Sequence, residues 1–251
     1  MILILRRRRR VILAASLLIG AVLAALLHSQ FAPIGELMPA AIAALQSDDI
    51  ARVKRERWIV FEPVDQTEES GIILYPGGRV SPEAYAPLAR ALAESGYLTV
   101  IVPMPLNLAV FDPFAADNVI AAYPSVQTWV IGGHSLGGVM AAHYAHSRRD
   151  LVKGLVLLAA YPEAHIDLSS SDLTVAVIYG DRDGLVTVNE VERALNRLPP
   201  DSRSVLIEGA NHAQFGWYGA QAGDTQARIS RDEQQSRVVE AVRQILQETG
   251  R

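Results

Sequence analysis

The chain has 251 residues, half of them hydrophobic, with 23 basic and 27 acidic side chains and a net charge of −4. That length holds one large domain or two small ones and can bury a substantial core. The composition excludes a disordered chain, a collagen and a coiled coil. The absence of cysteine excludes disulfides, thiolate zinc sites, iron–sulfur clusters and a cysteine nucleophile.

The charge is unevenly spread. Arg6 to Arg10 precede an apolar run, Val11 to Leu27, and no acid stands before Glu36. Residues 36–251 therefore hold 18 bases against all 27 acids, a net charge of −9. A run of 17 residues is at the short end for a membrane-spanning helix. Arginines on its N-terminal flank predict that this end stays cytoplasmic and the rest is translocated. The run ends in Leu26-Leu27-His28-Ser29-Gln30-Phe31, without the alternating small residues of a cleavage point. Residues 1–35 are expected to be a basic flank and uncleaved anchor in a lipid bilayer, through residues 11–27. A cleaved signal peptide, with secretion, is the alternative. Residues 36–251 are expected to form an extracytoplasmic domain, and their acidity argues against a nucleic-acid partner.

In chain order, Ala32 to Gln46 reads as a linker with Pro33, Gly35 and Pro39, passing into a short alanine-rich helix. Strands are expected at 58–61 and 72–75, separated by a polar turn at 65–70. A helix over Pro82 to Glu94 opens after Ser81 as cap, with Glu83 in its first turn. Strand 98–102, a proline-interrupted loop, a helix near 115–122 and strand 128–131 follow. The remaining elements are helix 136–146, strands 154–160 and 174–179, helix 188–198, strand 204–207 and a last helix of about 232–248. Leu155-Val156-Leu157-Leu158-Ala159-Ala160 has no polar face, which fits a parallel strand covered on both sides. The alternation predicts an α/β, mostly parallel central sheet with helices on both faces. In such a sheet the chemistry sits at the carboxyl ends of the strands.

Three strand ends carry candidate chemistry. Gly133-His134-Ser135-Leu136-Gly137 is a G-x-S-x-G between a strand and a helix, where a sharp turn exposes Ser135 as a nucleophile. The strand ending at Tyr179 leads into Gly180-Asp181-Arg182-Asp183-Gly184; either aspartate can orient a histidine, and either can be a solvated turn residue. The strand ending at Ile207 leads to Asn211-His212, where His212 is the candidate general base and acid. Serine, acid and histidine, each after a later strand, follow the order of the α/β-hydrolases. Two backbone amides should hold an oxyanion: Leu136, at a helix N-terminus, and Gly78 in the turn Tyr75-Pro76-Gly77-Gly78-Arg79, with Arg79 the next choice.

The chain resembles a compact group of α/β-hydrolases that carries Tyr-Pro-Gly-Gly (75–78), Gly-Gly-His-Ser-Leu-Gly-Gly (132–138) and Asn-His-Ala-Gln-Phe-Gly (211–216). The likeness spans roughly 40–249 and includes Pro103 to Leu108 and Tyr161-Pro162-Glu163. The resemblance implies that Asp183 is the acid, and that the protein hydrolyses esters or similar acyl bonds.

Arg79, Phe111 and Trp217 are candidates for substrate binding, and Phe114 and Tyr218 share that reading; for all four aromatics core packing is the alternative. His143 and His146, at helical spacing, are expected to be surface residues rather than metal ligands. Only about thirteen residues, Tyr161 to Leu173, join two core strands, which leaves no room for a large lid and predicts an open site. The expected enzyme is a carboxylesterase-like serine hydrolase with a catalytic triad, acting on a small-molecule ester or acyl substrate without metal or organic cofactor. The rival readings are a thioesterase or amidase on the same triad, and a catalytically idle scaffold used for binding.

Overall fold

The computed structural model describes residues 16–21, 31–64 and 69–250. Residues 1–32 and 33–251 form separate compact units. In the first, 16–21 is helical, with Leu17, Leu18 and Ile19 exposed. The rest of the expected anchor, 11–15 and 22–27, lies outside the described residues. No helix among the described residues is long and apolar enough to cross a membrane.

The second unit is built on eight strands: β1 (Ala51–Arg55), β2 (Ile59–Pro63), β3 (Ser70–Tyr75), β4 (Leu98–Ile101), β5 (Thr128–His134), β6 (Gly154–Leu158), β7 (Thr174–Gly180) and β8 (Arg203–Ile207). Their order in the sheet is β1-β2-β4-β3-β5-β6-β7-β8. The pairs from β4 through β8 are parallel; β1–β2 and β2–β4 are antiparallel. The helices are α1 (Pro39–Ala43), α2 (Ala86–Glu94), α3 (Ala116–Ala122), α4 (Leu136–Ser147), α5 (Val188–Ala194) and α6 (Arg231–Thr249).

The pleat sends alternate residues of each central strand to opposite cores. Ile72 and Leu74 of β3 face a core shared with α2 and α6, while Ile73 and Tyr75 face one shared with α3 and α4. Both faces of β6 are buried, as its uniformly apolar sequence requires.

Strand β1 has no counterpart among the expected elements. Its sequence, Ala-Arg-Val-Lys-Arg, is charged because it is the outer strand: only Ala51 is buried, and Lys54 meets Glu62 of β2 at 2.5 Å. Lysine and arginine on an edge also discourage pairing with a second sheet. Two expected helices are split. Pro82–Tyr85 is a 3-10 turn ahead of α2, and Leu195–Arg197 is one after α5. Residues 33–46, expected as a linker into a short helix, carry α1 and are held by backbone bonds from Ile34 N to Arg79 O (2.7 Å) and Met38 N to Trp217 O (3.1 Å). The connection between β6 and β7 contains no helix.

Candidate active site

Strand β5 runs directly into Ser135, whose φ of 52° and ψ of −123° no side-chain-bearing residue adopts without strain. Such a conformation costs on the order of 1–3 kcal/mol and persists only where surrounding contacts enforce it. The contacts are backbone on backbone. A Cβ on Gly137 would lie 2.2 Å from the Tyr75 carbonyl oxygen, and one on Gly133 would lie 2.4 Å from the Gly137 carbonyl carbon. Only glycine lets α4 close onto β3 and β5 at that distance. Ser135 N–H donates to the Leu158 carbonyl at 2.9 Å, which ties the turn to β6.

Beside this turn lies the loop after β3. Gly77 N–H donates to the Tyr85 hydroxyl at 2.9 Å, and Arg79 N–H donates to the Asn107 carbonyl at 2.7 Å. Gly78 N–H, between them, has no hydrogen-bond acceptor among the described residues. A Cβ on Gly78 would sit 3.2 Å from Leu136 Cδ2, so the two residues are neighbours. Leu136 is the first residue of α4, where an N–H has no intrahelical acceptor. Neighbouring Gly78 and Leu136 thus each carry an amide with no backbone acceptor among the described residues. The alternative amide, Arg79, is already engaged. It is held there by the loop 103–108, in which Leu106 and Asn107 both take positive φ, at 53° and 56°.

After β7 and β8, at the same carboxyl edge of the sheet, His212 Nδ1 meets Asp183 Oδ2 at 2.8 Å, with both side chains fully buried. The other Asp183 oxygen accepts N–H bonds from Leu185 (2.8 Å) and Val186 (2.7 Å), which fixes the carboxylate plane. Asp181 is engaged elsewhere, since its carboxylate accepts Gly209 N–H at 2.6 Å and shapes the turn ahead of the histidine. The two aspartates that the sequence leaves equivalent are thus separated by geometry. His212 Nε2 is buried without a hydrogen-bond partner. The His212 ring lies 4.5 Å from that of His134, the residue preceding Ser135, which places His212 beside the serine turn.

His134 is the residue that sequence reasoning passed over. As the variable position of a G-x-S-x-G it carries no signal by itself, yet it is almost wholly buried between Tyr85, Phe215 and His212. Tyr85 OH lies 2.8 Å from His134 Nδ1. Since the Tyr85 oxygen accepts from Gly77 N–H, its own proton can go to Nδ1, leaving the His134 proton on Nε2. Burial, and then the neighbouring His212, hold the His134 pKa well below its ordinary value, so the ring is neutral. Burial likewise pushes the Tyr85 hydroxyl pKa far up.

The other candidates are more dispersed. Phe111 is 53% exposed in the 3-10 turn Ala109–Phe111. Phe114 packs on the flank of α4, under Arg148 and against Tyr144. Trp217 is fixed through its backbone to Met38 and Ala84, with the Arg231 guanidinium 5.9 Å from the ring centroid, and Tyr218 is buried in the core. Arg79, at φ 60°, is half-buried behind the Gly78 turn. His143 does not gather with His146; its nearest ligand-type neighbours are the exposed Glu163 and His165, with ligand atoms within 4.8 Å of one another.

The alpha/beta hydrolase family model matches residues 71–236. Among curated proteins nothing matches. Solved structures with the same fold include Est1E from Butyrivibrio proteoclasticus, determined with ferulic acid bound: 16% identity, 78% of this chain and 98% of that one covered, TM-score 0.59. Another is MGS-MChE2, an alpha/beta hydrolase enzyme from the metagenome of lagoon sediments at Mar Chica, Morocco, with the same identity, coverage and TM-score. The esterase domain of a Rhodothermus marinus protein is 13% identical over 74% of this chain and 89% of that one, with a TM-score of 0.56. The matched span holds β3 to β8, the strained Ser135 turn and the Asp183–His212 bond, and by that match the chain belongs to the alpha/beta hydrolase family.

Proposed function

We propose that the protein is a serine hydrolase that cleaves a carboxylic ester or related acyl bond through an acyl-enzyme intermediate. The observation that carries the proposal is the buried His212 with Nδ1 bonded to Asp183 and Nε2 unpartnered, set beside the strained Ser135. His212 Nε2 takes the proton of Ser135 as Oγ attacks the carbonyl carbon, then gives it to the leaving group. Asp183 keeps the His212 proton on Nδ1 and stabilises the imidazolium. The Gly78 and Leu136 amides receive the oxyanion, each worth about 3 kcal/mol of transition-state stabilisation. Water then attacks the acyl-serine by the same proton route. The lidless connection between β6 and β7 favours a small, accessible substrate.

The test is labelling with a fluorophosphonate probe together with turnover of a short p-nitrophenyl ester, for wild type and Ser135→Ala. Labelling and turnover by the wild type alone are expected. An unlabelled wild type would leave a binding scaffold as the function, and preference for a thioester or amide would change the bond but keep the triad. The arginine flank and apolar run 11–27 further support tethering to a bilayer, with the hydrolase domain outside the cytoplasm. Protease added outside intact cells should digest the domain, and failure to reach it would refute that topology.

A further inference from the structure

We infer that Asp224 is a positioning residue that holds the acid loop and the histidine loop in register. The inference rests on the serine hydrolase function proposed for this site. Asp224 lies in Gln221-Ala-Gly-Asp-Thr, a polar stretch that reads as an ordinary surface loop. Its carboxylate nevertheless accepts four backbone N–H bonds from two separate loops and its own. Oδ2 takes Ala213 N–H at 2.8 Å, and Oδ1 takes His212 N–H at 3.2 Å, Gly184 N–H at 3.1 Å and Thr225 N–H at 2.8 Å. Gly184 directly follows Asp183, so one carboxylate grips the backbone next to both members of the Asp183–His212 bond.

The physical need is clear at the histidine. His212 opens the 3-10 turn Ala213–Phe215, whose first N–H groups have no acceptor within the turn. Asp224 caps them from outside with a full negative charge, and charge-assisted bonds of this kind are about twice as strong as neutral ones. The fit is tight around it. A Cβ on Gly184 would lie 2.4 Å from the Gly223 carbonyl oxygen, so the two loops touch backbone to backbone. Thr225 Oγ1 donates to the Arg182 carbonyl, and Asn211 Nδ2 donates to the Thr225 carbonyl at 2.7 Å. Segment 223–225 thus bridges the residues flanking Asp183 to those flanking His212. Displacing either loop by a few tenths of an ångström would misalign Nε2 while leaving the substrate pocket intact, which predicts an effect on turnover rather than on binding.

The test compares wild type, Asp224→Asn, Asp224→Ala and Thr225→Val on the p-nitrophenyl ester. Asp224→Asn is the sharper probe, since it turns one acceptor into a donor facing an N–H. Both Asp224 variants should lose about 10- to 100-fold in kcat, with KM within about threefold. Thr225→Val, which removes the Arg182 bond but leaves the carboxylate, should lose less kcat than either Asp224 variant. A readout independent of turnover is the far-downfield proton resonance of His212 Nδ1–H, present in wild type and absent in His212→Ala. It should broaden or shift in both Asp224 variants. If the wild type neither labels nor turns over, the hydrolase function fails, and this resonance still decides the positioning role. An unshifted resonance with unchanged kcat, whatever happens to thermal stability, would overturn the role of Asp224, and so would a rise in KM alone.

Discussion

The two halves of the site are built by different means. The Ser135 side is backbone against backbone: β5, Ser135 and α4 close through Gly133 and Gly137 at distances no side chain permits. The acid–histidine side is held by side chains from afar. Asp183 and His212 stand 29 positions apart, Asp224 caps both loops, and Gln234 of α6 exchanges bonds with the Asn211 backbone at 3.1 and 2.8 Å. A turn made by close approach is encoded in a few consecutive residues. A turn made by distant carboxylates and amides is encoded across the chain. The first kind should fail abruptly under small steric changes, the second gradually as polar partners are removed.

The largest expected effect is steric. Gly137→Ala places a methyl group 2.2 Å from a carbonyl oxygen of β3, a clash with rigid backbone that overpacking costs of about 1–3 kcal/mol understate. Activity should fall below detection and the melting temperature by about 10 °C or more; a soluble, active Gly137→Ala enzyme would remove the contrast. Next comes Asp183→Asn, which should lower kcat by about 10³-fold or more by analogy with triad-acid substitutions. Asp181→Asn, which weakens only the Gly209 bond, should cost less than about tenfold. Equal losses would show that geometry does not separate the two aspartates.

A smaller effect is one of pH. His134 has its folded pKa depressed below the unfolded value near 6.5, so below that pH the unfolded chain binds the proton that the folded one excludes. Stability should therefore fall as pH drops from 7 to 5, by up to about 1.4 kcal/mol per pH unit for this group. Urea unfolding of His134→Gln across that range should show a shallower slope; an identical slope would deny the burial argument. The smallest effect concerns strain. Ser135→Gly should be more stable than Ser135→Ala by about 1 kcal/mol, because glycine adopts φ 52° freely and alanine keeps the strain. Melting temperatures of the two variants decide it.

Much of the fold was legible because the central strands are apolar on both faces and alternate with helical stretches; the start of α2 was not, since Ser81, expected as its cap, bonds the Glu83 side chain instead. Strand β1 was not, because its charged residues suit an edge position that exists only once β2 is beside it. In the site, Ser135, Gly78 and Leu136 were readable as local pattern. The choice between Asp181 and Asp183 followed from resemblance rather than from the residues themselves, and it took the Gly209 bond to show what Asp181 does instead. His134 stood in the 132–138 motif without a role of its own, and Tyr85 and Asp224 left no mark, since a tyrosine in a helix and an aspartate in a polar loop are common anywhere.

By itself, then, the sequence determined the α/β layering, the placing of Ser135, Asp183 and His212 each after a later strand, and the glycine-rich turns, because each follows from periodicity or from space that only nearby residues contest. The tertiary structure decided which carboxylate meets His212, which amide is left free beside Leu136, and what caps the histidine turn. Those outcomes depend on hydrogen bonds between residues 11 to 40 positions apart, whose partners become specific only when the sheet has brought its strand ends together.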